Sequence, residues 1–238
     1  MNPNLEMQVN KTQAGIYTVT YGYKEVPLDD QEMAFADNDL RMISPAQKGF
    51  LQANESQGIF KPYSRTNADV LYDKRKGQVV IVPNGAISRL VGLINLVDAH
   101  RQGKEYVIPE TQRKRVYGMI DAMLENGTAF AAKHGQTSVE TSRFGEDDLT
   151  SRLFSDERLG IKAQNYGDFL KSQGRTNQNF FFDDKGYAVS QEGPYTNRLR
   201  VYGPVNDFDA AAIGRYLHNV NGAFGVRFEK TTEGGAKK

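Results

Sequence analysis

The chain has 238 residues, 39% of them apolar and 25% charged, with a formal net charge of +1 and no cysteine. This balance is ordinary for a globular protein, gives no global field to draw in nucleic acid or an anionic membrane, and excludes disulfides, a thiolate zinc site and a cysteine nucleophile. No apolar run approaches the ~20 residues of a membrane span, and the opening MNPNLEMQVNKTQAG has no apolar core of a secretory signal, so a cytoplasmic protein is expected.

In chain order, residues 1–12 read as a loose polar tail. GIYTVTYGYKEV then alternates Ile16, Thr18 and Thr20 with Tyr17, Val19 and Tyr21, the period of a strand. Glu25 to Asp39 carries six carboxylates and no base, which predicts an acidic loop with at most a short helix. Ser44-Pro45 reads as an N-cap followed by proline in the first helical position, opening a helix to about Asn54. SQGIFKPYSRTNADVLYDKRKG is turn-rich and basic, and QVVIVP is a compact strand ended by Pro83.

From Ala86 the apolar positions Ile87, Leu90, Val91, Ile94 and Val97 share one helical face, with Gly103 as the stop. YVIP is brief and extended. Pro109, Glu110 and Thr111 open another helix, with Val116, Met119, Ile120, Met123 and Leu124 turned inward and Asn126-Gly127 closing it. TAFAAKHG adds a turn or two of helix. A short helix holds Glu146, Asp147 and Asp148 in its first turn, and NYGDFLKSQG is another. Two β-rich runs flank Asp183-Asp184-Lys185-Gly186, as in a hairpin. NRLRVYGP reads as a strand, DFDAAAIGRYLHNVN as a helix capped by Asp207, and GAFGVRFEK as a closing strand.

Helices cluster in the middle and strands at both ends, the order of an α+β fold. The expected arrangement is a central helical segment with a C-terminal β-hairpin–β–α–β sheet unit. It divides into a mixed region with the main helices over 13–175 and the sheet unit over 176–230, within one domain. Disordered tails are expected at 1–12 and 231–238.

Three groups of residues bear on function. The stretch Lys74 to Lys104 opens with a basic cluster and has the strand, turn and helix layout in which some proteins hold phosphate. Its turn is Pro83-Asn84-Gly85-Ala86, with one glycine, and matches neither GxxxxGK[ST] nor GxGxxG. A turn capped by Asn84 and relieved by Gly85 is the expectation. Next come two basic clusters, Lys74-Arg75-Lys76 and Arg113-Lys114-Arg115. The segments Lys61–Lys76 and Arg101–Arg115 each carry five bases and two acids, net +3, and Tyr63, Tyr72, Tyr106 and Tyr117 lie among them. Bases interleaved with aromatics suit a phosphate backbone and stacked bases. The third group is Glu146-Asp147-Asp148, since clustered carboxylates can hold a hard cation or divide into an acid and a base. Adjacent helix positions do not share a face, however, and acids in a first helical turn are also favoured by the helix dipole.

His100, His134 and His218 form no HxH, HxxxH or HExxH pair. The sequence therefore yields no metal site, and it names no cofactor. The leading reading is a non-catalytic intracellular binding protein that contacts an anionic partner, nucleic acid or a phosphorylated ligand, through its basic-aromatic segments. The alternatives are a metal-assisted hydrolase or transferase using Glu146, Asp147 or Asp148, and a structural or assembly subunit.

Overall fold

The computed structural model describes residues 6–60, 64–73, 78–102, 106–133, 135–182, 194–201, 210–211 and 221–231. Within them the chain is α+β, as its order of elements predicted.

The sheet starts with a hairpin, β1 (Val9–Ala14) against β2 (Tyr17–Val26), turned at Gly15 with φ 56°. The tail expected over 1–12 thus gives way at Val9, because Val9 to Ala14 find partners along Tyr17 to Gly22. The acidic segment is not a loop. It forms α1 (Leu28–Asp37), which buries Leu28, Gln31, Ala34 and Phe35 on one face. Asp29 and Asp30 sit in its first turn, where the dipole favours them. A short strand, β3 (Arg41–Met42), leads to α2 (Pro45–Asn54). Ser44 caps α2 as expected, and Gln47 completes a capping box by accepting the Ser44 N–H.

The turn-rich basic stretch holds the central strand, β4 (Ser64–Asp73), which pairs with β5 (Gln78–Val82). Polar Ser64, Arg65, Thr66 and Asp69 are all buried in β4, which hides the strand from a pattern search. A register shift between Arg65 and Asp69 breaks its alternation further. Val79 and Ile81 pack into one core with Phe130, Phe144, Phe154 and Phe180, whereas Val80 and Val82 pack into another with Ile87, Val97 and Ile120. Burial on both faces is why QVVIV is continuously apolar.

The helix expected from Ala86 is two helices, α3 (Ala86–Val91) and α4 (Leu93–Arg101), broken at Gly92 with φ 88°. The break turns the apolar face, so Leu96 and Val97 are buried and Ile94 is exposed. The long helix α5 (Glu110–Glu125) follows as expected, with Val116 and Ile120 buried. Phe130–Ala132 is a strand, β6, rather than added helix, because it pairs with Val79 to Ile81 of β5. Beyond it come β7 (Gly135–Glu140), α6 (Asp148–Phe154), α7 (Ala163–Ser172), β8 (Asn177–Phe182), β9 (Tyr195–Val201), β10 (Ala210–Ala211) and β11 (Asn221–Lys230).

The strand order is β1-β2-β11-β4-β9-β10-β8-β7, with β3 beside β11 and β5 between β4 and β6. The closing strand β11 therefore lies between two strands of the N-terminal region. Helices α6 and α7 pack on the face of Val70 and Tyr72, and α3, α4 and α5 on the face of Leu71. The expected helix over Asp207–Asn221 meets β10 at Ala210 and Ala211, which pair with β8 and β9. Its other residues before Asn221, the Asp183–Gly186 turn, Gly103 and 232–238 lie outside the described residues.

Candidate functional site

The first cluster, Lys74-Arg75-Lys76, falls between β4 and β5 and lies outside the described residues. The strand ends that flank it are described. Asp73 pairs with Gln78, and Tyr72 pairs with both Val79 and Tyr195. The residue before Tyr195 is Pro194, whose carbonyl accepts the N–H of Ile108 at 2.9 Å. Ile108 leads into α5, and Arg113 Nε donates back to its carbonyl at 2.9 Å. The chain on either side of the first cluster and the start of α5 are thus tied to one end of the sheet.

Within the second cluster the three side chains differ. Arg113 is half-buried and braces the helix entry, whereas Lys114 and Arg115 are exposed. Three consecutive helix positions point about 100° apart, so they present a charged end and no single chelating point. Of the described tyrosines, Tyr72, Tyr106 and Tyr117 do not offer an open stacking surface. Tyr72 is buried in the core, and Tyr106 and Tyr117 pack partly against the α3–α5 core. Burial pushes the Tyr106 phenol up from its usual pKa, and its hydroxyl lies 3.3 Å from Gln112 Oε1. Tyr63 lies outside the described residues. In the adjoining helix, Arg101 pairs with Asp98 at 2.8 Å and approaches Asp29 at 3.8 Å.

The Pro83–Gly85 turn holds Asn84 and Gly85 in the left-handed region, each at φ 60°. Asn84 does not cap the helix. Its Oδ1 accepts from Asn67 Nδ2 at 3.2 Å, and the capping carboxylate comes from the buried Asp69 of β4, whose Oδ2 accepts the Ser88 N–H at 2.9 Å. Ser88 Oγ in turn donates to Gly85 O at 3.1 Å. The layout that suggested phosphate is therefore served by an internal anion.

The three acids before and within α6 have separate partners. Glu146 lies 3.7 Å from Arg143, Asp147 Oδ1 accepts the Thr150 N–H at 3.0 Å, and Asp148 pairs with Arg152 at 2.8 Å. The arrangement is that of a capped, charge-complemented helix start. Among the described residues, no group of three or more His, Asp or Glu side chains could hold a metal ion. His100 falls in α4, and His134 and His218 lie outside the described residues.

Sequence reasoning missed one feature, a cleft of about 510 Å³ beside α6. Arg152 and Leu153 of α6 line it, but none of the three acids does. Its residues come from five separate stretches of chain, so no spacing in the sequence announces it. No helix among the described residues is long and apolar enough to cross a membrane.

No family model matches the sequence, and no curated protein matches it. Among solved structures, one from a study of how the C-type lectin fold accommodates massive sequence variation in Nanoarchaeota superposes with a TM-score of 0.50 at 14% identity, covering 93% of this chain and 100% of that one. At that identity the likeness is one of fold: this chain is similar in architecture to a C-type lectin fold.

Proposed function

We propose that this chain is a non-catalytic binding protein that contacts an anionic partner, nucleic acid or a phosphorylated ligand, through Lys74-Arg75-Lys76 and the exposed Lys114 and Arg115. The observation that carries the reading is the Ile108–Pro194 hydrogen bond. It holds the start of α5 at the end of the sheet where Tyr72 pairs with Tyr195. On this reading bases from segments distant in sequence would add their fields there, although the chain as a whole is near neutral. The buried and half-buried tyrosines favour contact through charge over stacking.

The test is binding of the purified chain to single-stranded and double-stranded nucleic acid, and to a phosphopeptide, at two salt concentrations. Binding that weakens steeply with salt, and is lost in a K74E/R75E/K76E/K114E/R115E variant, is the expected result. Absence of binding to all three probes at low salt overturns the reading.

A further inference from the structure

The cleft beside α6 is separate from the basic end of the sheet, and its lining has a definite chemistry. Its floor is apolar, made by Ala68, Ile81, Met123, Phe130 and Leu153. Its rim is rich in hydrogen-bond donors. Ser44 Oγ already accepts the Gln47 N–H at 3.1 Å, and Ser155 Oγ accepts the Ala163 N–H at 3.2 Å. With the acceptor side of each hydroxyl engaged by backbone, each has its own proton left for a further acceptor. Asn84 is exposed at the rim, its Oδ1 engaged by Asn67 and its amide protons available.

Two guanidinium groups complete the rim. Arg152 lies over the Phe130 ring, 5.8 Å from its centre, and gives its Nε edge to Asp148. Its two terminal nitrogens have no hydrogen-bond partner among the described residues. Arg158 is 88% exposed, and its 3.8 Å approach to Asp156 exceeds a hydrogen bond. Both ion pairs are solvent-screened and weak, so neither withholds its arginine from another anion. Against these donors stand two acceptors, Asp156, whose Oδ1 already takes the Arg158 N–H at 3.1 Å, and Asn67 Oδ1, which is buried without a hydrogen-bond partner among the described residues.

We propose that this cleft binds a small organic anion, a carboxylate or phosphate group carried on an apolar body. The anionic head meets Arg152, Arg158 and the two serine hydroxyls, and the apolar body lies on the floor. A volume of about 510 Å³ is in the range of sites for small organic ligands. The charged head is recognised by paired N–H donors in the fork geometry that arginine offers to carboxylate and phosphate alike.

The experiment is a titration of the full ¹⁵N-labelled chain with benzoate, phenyl phosphate, inorganic phosphate and benzyl alcohol, following the backbone amides of Ala46, Asn84 and Ser155. Benzoate or phenyl phosphate should shift these resonances saturably, and benzyl alcohol should bind about tenfold more weakly for want of a charge-assisted head. Arg158→Gln, at an exposed position that does not threaten the fold, should weaken the organic anions severalfold and leave benzyl alcohol unchanged. Arg152→Gln added to it should weaken them further. Whichever of the two organic anions binds more tightly identifies the preferred head. The proposal is overturned if benzyl alcohol binds as well as benzoate, if inorganic phosphate binds as well as phenyl phosphate, if the three amides do not move, or if the arginine variants bind the anions unchanged.

Discussion

Lys48 Nζ lies 5.0 Å from the centre of the Phe224 ring, joining α2 to β11 through a buried amine. The ring face favours the charged ammonium, but its loss of water outweighs that and pushes Lys48 down to about 7. Unfolded, the same group titrates near its usual value of about 10.4. Between those limits the unfolded chain holds the proton and the folded chain sheds it, so folding stability rises with pH from about 7 towards 10 and is flat in this term below 7. The measurement is the urea midpoint of the native chain and of Lys48→Met across that range. The variant should be the more stable at pH 7, and the gap should narrow as pH rises. A gap that stays constant with pH would show that Lys48 is charged in the fold.

The bond from Ser88 N–H to Asp69 Oδ2 joins the centre of β4 to the first turn of α3. Replacing Asp69 with alanine leaves that buried N–H without its partner. The expected loss is about 2 kcal/mol, typical of a buried hydrogen bond to a charged acceptor. Denaturant midpoints measure it, and faster hydrogen exchange at Ser88 locates it. A change within ~0.5 kcal/mol, the size of an ordinary surface substitution, would mean that another group caps α3.

Gln178, in β8, is fully buried, and neither its Oε1 nor its Nε2 has a hydrogen-bond partner among the described residues. A buried, unsatisfied amide costs free energy that an apolar side chain of similar length does not. Gln178→Met should therefore raise stability by about 1 kcal/mol. A lower melting temperature for this variant would refute the account.

Gly225 of β11 lies against the buried ring of Phe35, and a methyl group added there would overlap ring carbons. Gly225→Ala should cost about 2 kcal/mol, the usual price of overfilling a packed core. Phe35→Leu, which removes the ring edge, should recover part of the loss in the double variant. Additive effects of the two changes would place the clash elsewhere.

Elements that carry their own local chemistry were legible in the sequence. Helix α2 announces itself through Ser44-Pro45, α5 through its apolar spacing and Asn126-Gly127, and β5 through QVVIV. Those hidden from the sequence depend on partners far along the chain. Strand β4 buries Arg65, which donates to Gln31 Oε1 of α1 at 3.1 Å, so its polar composition makes sense only once α1 is in place. Carboxylates mask the apolar face of α1, and a single glycine splits a spacing that otherwise runs on from Ile87 to Val97. At the site level, the basic clusters could be read as charge, but their tie to one sheet end rests on a backbone bond between Ile108 and Pro194. The cleft depends on hydroxyls whose first duty is to cap or support helix starts, so they look like ordinary capping residues.

The position of β11 also has a consequence for the order in which the molecule is made. It pairs with β2 on one side and with β3 and β4 on the other, and among the described strands β2 reaches β4 only through it. A ribosome releases β2 and β4 long before β11, so the nascent chain holds two open strand edges that wait for the same late arrival. The N-terminal hairpin and the central strand are finished by a strand about 150 residues further along the chain than β4, and such distant pairings are slow to form and exposed to wrong partners until they close.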